Sequence, residues 1–276
     1  YLLGPTPELD NHFVAAGFNS VGIQSAGGAG KVLAEWIVDG RPPMDLWDVD
    51  IRRAQPFQTN RRYLHDRSVE SLGLLYAMHW PFRQVETARG VRRSPFHDRL
   101  INLGACHGEN GGWERPNWFA PEGVEPKYEY TYGRQNWFEH SAAEHRACRE
   151  NAALFDQTSL AKILVQGPDA AAVLNKISSA NVDVQPGTSV YTTWLNDRGG
   201  IEADLTVNRL DEERFLVVTA YTTQLKDSDW IIRNVPDGSR VAVTDVTSAW
   251  ATLGIFGPKA RDFVSPITDA DLSNEA

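Results

Sequence analysis

Two Gly-Pro pairs ninety residues apart, Gly167-Pro168 and Gly257-Pro258, constrain this chain more than any other feature of it. Each follows a short apolar run and precedes a helix-forming one. The two stretches are "AKILVQGPDAAAVLNKIS" and "TLGIFGPKARDFVSPIT", with Ala170 matched by Ala260 and Ile177 by Ile267. A fixed long period marks a duplicated supersecondary unit. Each copy reads as strand, turn and helix; Pro168 suits a first helical turn because its missing N–H would have no partner there anyway. Between the copies, "SVYTTWLNDRGGIEADLTVNRL" and "ERFLVVTA" read as strands around turn signals. A helix over "YTTQLKDSDWIIRNV" and a strand over "VAVTDVT" follow. The implied fold class is α+β, with the second copy cut off early.

Upstream the pattern is less regular. Residues 1–54 contain an extended "HFVAAGF", a glycine-rich stretch, a helix over about 30–39 and the charged exit "DLWDVDIRRAQP", which together read as the edge of an α/β domain. Residues 55–115 run from the Arg-rich "NRRYLHDR" through a helix-like "SVESLGLLYAMHW", closed by Pro81, to an aromatic loop, "GENGGWERPNWF"; this reads as a connector. Residues 116–276 open on the aromatic "YEYTYGRQNWFE", lead into a helical "EHSAAEHRACRENAAL" and carry both Gly-Pro units. The chain starts on "YLLGPTPELDNHF" without an initiator Met and stops at "DADLSNEA" inside the second copy, so an internal fragment of a longer polypeptide is expected.

The stretch "GFNSVGIQSAGGAGK" places glycines at 17, 22, 27, 28 and 30 just before a helical run. Bare backbone at a helix start suits a ligand that must approach main-chain N–H groups, phosphate first among them. The Walker pattern fails, because Ser25 stands where its first Gly belongs and Val32 follows Lys31 where Ser or Thr must hold magnesium. No window reads G-x-G-x-x-G either. A tight loop packing a helix closely is the competing reading.

Charge and composition exclude other classes. A net charge of −9 argues against coating nucleic acid, which needs a basic face to displace counterions. With 42% hydrophobic and 10% aromatic residues the chain can build a real core. Cys106 and Cys148 are too few for a disulfide framework, so a reducing compartment is expected. No run reaches the roughly 18 apolar residues of a membrane-spanning helix. His140, His145 and Cys148 are neighbours, but their spacing does not put two imidazoles on one helix face, and no metal site is expected. There is no G-x-S-x-G elbow for a serine hydrolase.

In "GGIEADLTVNRL" a Gly-Gly turn leads into a strand whose alternation puts Glu202, Asp204 and Thr206 on one face and Ile201, Leu205 and Val207 on the other. An inward Asp204 would be a desolvated carboxylate, available to hold an N–H-bearing ligand. An outward one would belong to a polar strip on an edge strand.

Three stretches in order resemble one family. "VAAGFNSVGIQSAGGAGKVLAEWIVDGRPPMDLWDVDIRR" is similar to the end of the FAD domain of dimethylglycine and sarcosine dehydrogenases. "RSPFHDRLINLGACHGENGGWERPNWF" and "YGRQNWFE" resemble that family's central connector. "GGIEADLTVNRL" and the repeated Gly-Pro units resemble the folate-binding domain shared with the glycine-cleavage aminomethyltransferase. The resemblance implies FAD contacts at Gly17, Phe18, Asn19, Ser20, Gly22, Gly27 and Gly28. It also implies a tetrahydrofolate site at Tyr191, Asp204, Leu205 and Thr206, with Asp204 catalytic and Tyr191 lining the pterin. Thr219 stands where aminomethyltransferases tend to have Asn, and Ala203 replaces a second Asp before Asp204.

The resemblance further implies oxidative demethylation of a small N-methylated amino acid, coupled to folate, with an electron-transfer flavoprotein or oxygen as acceptor. The compartment would be bacterial cytoplasm or mitochondrial matrix. The dinucleotide fingerprint of the FAD domain is absent from this stretch, so the chain alone is expected to bind FAD poorly. The alternatives are a non-catalytic scaffold, like the regulatory subunit of pyruvate dehydrogenase phosphatase, and a stand-alone aminomethyltransferase.

Overall fold

The structure is a computed structural model that describes residues 1–273. In chain order it holds β1 (Leu2–Pro5), β2 (Phe13–Ala16), α1 (Gly22–Asp39), α2 (Arg61–Leu74), α3 (His97–Asn102), β3 (Ala105–Asn110) and β4 (Trp113–Phe119). Then come α4 (Phe138–Glu150), β5 (Ala153–Asp156), β6 (Ala161–Gln166), α5 (Ala170–Ile177), β7 (Ser189–Leu195), β8 (Ile201–Arg209) and β9 (Arg214–Thr219). Helix α6 (Gln224–Arg233), β10 (Ala242–Asp245), β11 (Leu253–Phe256) and α7 (Ala260–Val264) follow. The chain forms two compact units, Tyr1–Leu64 with Leu160–Ala249, and His65–Ser159 with Trp250–Ala276.

The first unit is built on a five-stranded antiparallel sheet in the order β10-β6-β9-β8-β7. Alternation along its strands sends Ile163, Val165, Leu205, Val207, Phe215 and Val217 to one face, where they meet Val173, Leu174 and Ile177 of α5 and Ile231 of α6 in the core. Helix α5 starts at Ala170 with Asp169 before it, so Pro168 lies in the turn just ahead of the helix. The polar residues of β8 face the other way. In the same unit β1 and β2 form a two-stranded sheet beneath α1, whose buried residue is Trp36. Gly4 has φ +105°, and a Cβ there would lie 2.6 Å from the Trp36 ring, so this position requires glycine.

In the second unit β3 and β4 form a hairpin turned at Gly111-Gly112, both with positive φ. The expected aromatic loop "GENGGWERPNWF" is therefore mostly strand: Trp113 and Trp118 are both buried, with a β-bulge at Asn117 between them, and Trp118 joins Cys106 and Ala120 in a small core. The helix expected over "SVESLGLLYAMHW" starts earlier, at Arg61, and ends at Leu74.

The duplication is real in three dimensions, and its strands are exchanged. Strand β6 pairs with β10, the strand that precedes β11. Strand β11 pairs with β5, the strand that precedes β6. Both Gly-Pro turns abut the chain entering the exchanged strand. A Cβ on Gly167 (φ +131°) would lie 2.1 Å from the Arg240 carbonyl oxygen, and one on Gly257 (φ +120°) 2.4 Å from that of Asn151.

Candidate functional site

The outer face of β7 and β8 brings Tyr191 and Asp204 together. The register sets Tyr191 opposite Thr206 and Thr193 opposite Asp204, so Asp204 is the diagonal neighbour of Tyr191, within reach of a long aromatic side chain. The Tyr191 hydroxyl donates to Asp204 Oδ2 at 2.7 Å. Both residues are exposed, Tyr191 at 69%. The expectation of a desolvated, inward Asp204 is thus corrected: the side chain points away from the core. Nor is its strand an edge; β8 lies between β7 and β9, and β7 is the edge. The hydrogen bond to the Asp204 carboxylate, followed by modest burial and the nearby negative charge, holds the Tyr191 phenol above its ordinary pKa.

Of the other expected folate residues, Thr206 shares this outer face, directly beside Tyr191. Leu205 does not: it is 3% exposed in the core, so its side chain faces away from the site. Thr219 is buried and donates to Asp227 Oδ2 at 2.6 Å, as does Thr223, so its hydroxyl is already engaged within the protein. Ala203 also faces the core. Sequence reasoning missed the polar partners of β7 and β8. The Ser179 and Thr193 hydroxyls lie 2.9 Å apart, and Lys226 Nζ donates to the Glu202 carbonyl at 2.6 Å. Cross-strand registers carry that information and single strands do not.

The glycine stretch folds differently from expectation. Helix α1 begins at Gly22, about eight residues before the expected start, so Gly27 and Gly28 lie inside it and their N–H groups are placed for internal helical bonding. Nothing comes within 4 Å of a Cβ built on Gly27 or Gly28. The turn ahead of the helix is Gly17 to Val21, with Gly17 and Ser20 at positive φ, Phe18 stacked on Tyr1 at 5.0 Å, and Val21 N–H donating to the Phe18 and Asn19 carbonyls. No side chain caps the helix start, where Gly22 stands.

A buried ion network ties the N-terminal stretch to α6, and no local signal in the sequence announces it. Arg52 donates to Asp50 Oδ1 at 3.0 Å and Oδ2 at 2.7 Å, and to Asp229 Oδ2 at 3.2 Å. Asp229 also accepts from Arg233 at 2.9 Å. Burial opposes the Arg52 charge, but the two carboxylates outweigh it and raise its pKa. Elsewhere, His140 stacks on Trp118 and His145 Nδ1 donates to the Ser141 carbonyl. Among the described residues no three metal-ligating side chains converge, and no helix is long and apolar enough to cross a membrane.

The family follows from comparison with known domains. Residues 96–276 match the GCVT N-terminal domain and residues 39–94 the FAD dependent oxidoreductase central domain. The chain belongs to the GCVT family over residues 96–276, and the stretch before it matches the central-domain model.

Several curated relatives match the chain nearly end to end. A 4-methylaminobutanoate oxidase (formaldehyde-forming) of Paenarthrobacter nicotinovorans is 51% identical over 100% of this chain and 33% of its own length. The mitochondrial sarcosine dehydrogenase of Mus musculus is 34% identical over 100% of the chain and 34% of its own. The mitochondrial pyruvate dehydrogenase phosphatase regulatory subunit of Mus musculus is 32% identical over 99% and 32%. The chain thus spans about a third of the length of these relatives. Among solved structures, the glycine cleavage system aminomethyltransferase T of Bartonella henselae superposes with a TM-score of 0.52 at 24% identity, covering 64% of this chain and 44% of that one; the likeness is one of fold.

Proposed function

We propose that this chain is the middle of a flavin-dependent N-demethylase of small N-methylated amino acids that passes the one-carbon unit to tetrahydrofolate. The observation that carries the reading is the Tyr191–Asp204 pair, presented on the outer face of a GCVT sheet. An exposed carboxylate with a phenol fixed beside it fits a planar, N–H-bearing ring: Asp204 accepts the N–H and Tyr191 lies along the ring. Thr206 borders the same face, and Leu205 contributes backbone alone. In this reading residues 1–54 close the FAD domain, 55–115 form the connector and 116–276 begin the folate domain.

FAD would supply a hydride acceptor. On its side, the turn at Gly17, Phe18, Asn19 and Ser20 and the uncapped start of α1 at Gly22 suit an approaching anionic or electron-rich edge, since free N–H groups and the helix dipole favour negative charge there. Gly27 and Gly28 would contribute by their missing side chains, which leave the helix surface open to close approach. The acceptor that reoxidises the flavin is an electron-transfer flavoprotein or oxygen, and the compartment is the mitochondrial matrix in a eukaryotic host or the cytoplasm in a bacterial one.

The test is the visible spectrum of the longer polypeptide that carries this chain, before and after anaerobic addition of sarcosine, dimethylglycine or 4-methylaminobutanoate. Bleaching of the flavin band supports the reading. Asp204→Ala should then keep the bleaching and lose at least about 90% of the one-carbon unit from folate to free formaldehyde, the scale of a lost charged contact of about 1.5–3 kcal/mol. Protein without flavin, or flavin that no methylated amine reduces, would instead favour the scaffold reading.

A further inference from the structure

In the second unit two imidazoles are enclosed against each other where α3 meets the β3–β4 hairpin. His97, the first residue of α3, is 8% exposed, and half-buried His107 of β3 faces it with ring centroids 4.5 Å apart. His97 Nδ1 and His107 Nε2 are both enclosed and make no hydrogen bond to the described residues. A protonated imidazole donates from both nitrogens, so a proton added to either ring would leave an enclosed, charged N–H without an acceptor. The charged groups around the pair do not supply one. Glu114 of β4 already accepts from Arg89 Nε at 2.8 Å and from the Gly90 N–H at 2.6 Å, and Arg89 also donates to the His107 carbonyl at 3.1 Å. Arg93, just ahead of α3, repels a new positive charge on His97, and Asp98, next in sequence, is exposed to solvent. Cys106, the neighbour of His107, lies in the core with Trp118, where burial pushes its thiol up to about 11 and keeps it neutral.

We propose that the His97–His107 contact is an acid-sensitive latch: neutral, the two rings close α3 onto the hairpin, and protonation opens that seam while the five-stranded sheet of the first unit stays intact. Burial, and after it Arg93, holds His97 below its ordinary pKa of 6.5. Burial, and after it the His97 ring, does the same to His107, against the pull of Glu114 and the Ala105 carbonyl. In the open seam each histidine takes up its proton near the ordinary value of about 6.5, and in the closed seam only at lower pH. The latch is therefore at full strength above about pH 6.5 and weakens as the pH falls below it. The open fraction rises by up to about tenfold per pH unit for each histidine, until the closed rings titrate as well. Nothing in the latch depends on the flavin or the folate reading.

The test is amide exchange in the longer polypeptide that carries this chain, at about pH 7.5 and about pH 5, each rate being divided by that of the same amide in an unstructured peptide at the same pH. Protection of residues 105–110 and 113–119 should fall at least about tenfold at the lower pH, and that of residues 161–166 less than about threefold. His107→Phe keeps an aromatic ring against His97 and cannot be protonated, so it should shrink the fall; His97→Phe added to it should abolish the fall. Unchanged hairpin protection between the two pH values in the unsubstituted protein would overturn the proposal, even if the variants fail to fold. An equal fall at residues 161–166 would mean general acid unfolding and would overturn it too. So would a fall that persists in the folded double variant, which would assign the acid sensitivity to other groups.

Discussion

The Gly167 and Gly257 turns are nearly the same object in two different settings. Both glycines adopt positive φ, and both lie so close to a passing main chain that a Cβ would collide with a carbonyl oxygen. Each strand pairs antiparallel with the strand just ahead of the other copy's strand, β6 with β10 and β11 with β5. Yet Ile177 is buried and Ile267 is bare. The local unit is thus fixed by backbone geometry, while burial is fixed by what else reaches the sheet. Three further strands and two helices complete the first copy; the described residues supply the second with far less.

The sharpest way to break this contrast is to attack what the first unit has and the second copy lacks. Arg52 is 7% exposed and holds the two buried carboxylates of Asp50 and Asp229. Arg52→Ala would leave Asp50 uncompensated and Asp229 with Arg233 alone, and removing one partner of a buried ion network costs about 3–5 kcal/mol. The loss should appear as an earlier unfolding midpoint in denaturant, with amide protection falling in residues 161–166 and not in residues 105–119. Equal loss in both stretches would mean that the two units unfold together.

A paired truncation gives a smaller effect. Ile177→Ala removes core volume against Val173 and Ile231 and should cost about 2–5 kcal/mol, whereas Ile267→Ala in this chain should change stability by less than about 0.5 kcal/mol. Chemical denaturation of the two variants, side by side, measures the difference. Similar costs would show that Ile267 is covered already and would remove the basis of the contrast.

The legible parts of the fold are the local ones. Strand, turn and helix around Gly167 follow from a residue-by-residue pattern, and so does the alternation of β8, which sorts Leu205 and Val207 from Asp204 and Thr206. The exchanged pairing of β6 with β10 and of β11 with β5 was not legible, because strand partners some 80 to 100 positions apart leave no periodic trace. Arg52 and Asp229 are 177 positions apart, and nothing near either residue announces the other. The glycines at 27 and 28 pointed the wrong way for a physical reason. Glycine weakens a helix by only about 1 kcal/mol per residue, and the run "VLAEWIVD", anchored by buried Trp36, carries α1 through them. For Asp204 the alternation was readable, but which face of the sheet the helices cover was not; α5 and α6 take the Leu205 side, and that choice leaves the carboxylate in water.

The smallest expected effect lies on that open face. Asp204→Asn replaces the charged acceptor whose hydrogen bond, together with its negative charge, holds the Tyr191 phenol above its ordinary pKa, and leaves a neutral amide oxygen that accepts from the hydroxyl more weakly. The sign follows from the charges: a phenolate beside a carboxylate is disfavoured, so removing the negative charge makes ionisation easier and moves the Tyr191 titration down toward about 10, the unperturbed tyrosine value. Global stability should move by less than about 0.5 kcal/mol, because both groups are exposed and no core contact is lost. An alkaline titration of the tyrosine absorbance, compared with a Tyr191→Phe variant to isolate the one phenol, reads the shift directly. An unchanged titration would mean that the pair is not formed in solution. A large loss of stability would mean that Asp204 supports the sheet itself, and the outer face would then belong with the buried side of the first unit rather than stand apart from it as a binding surface.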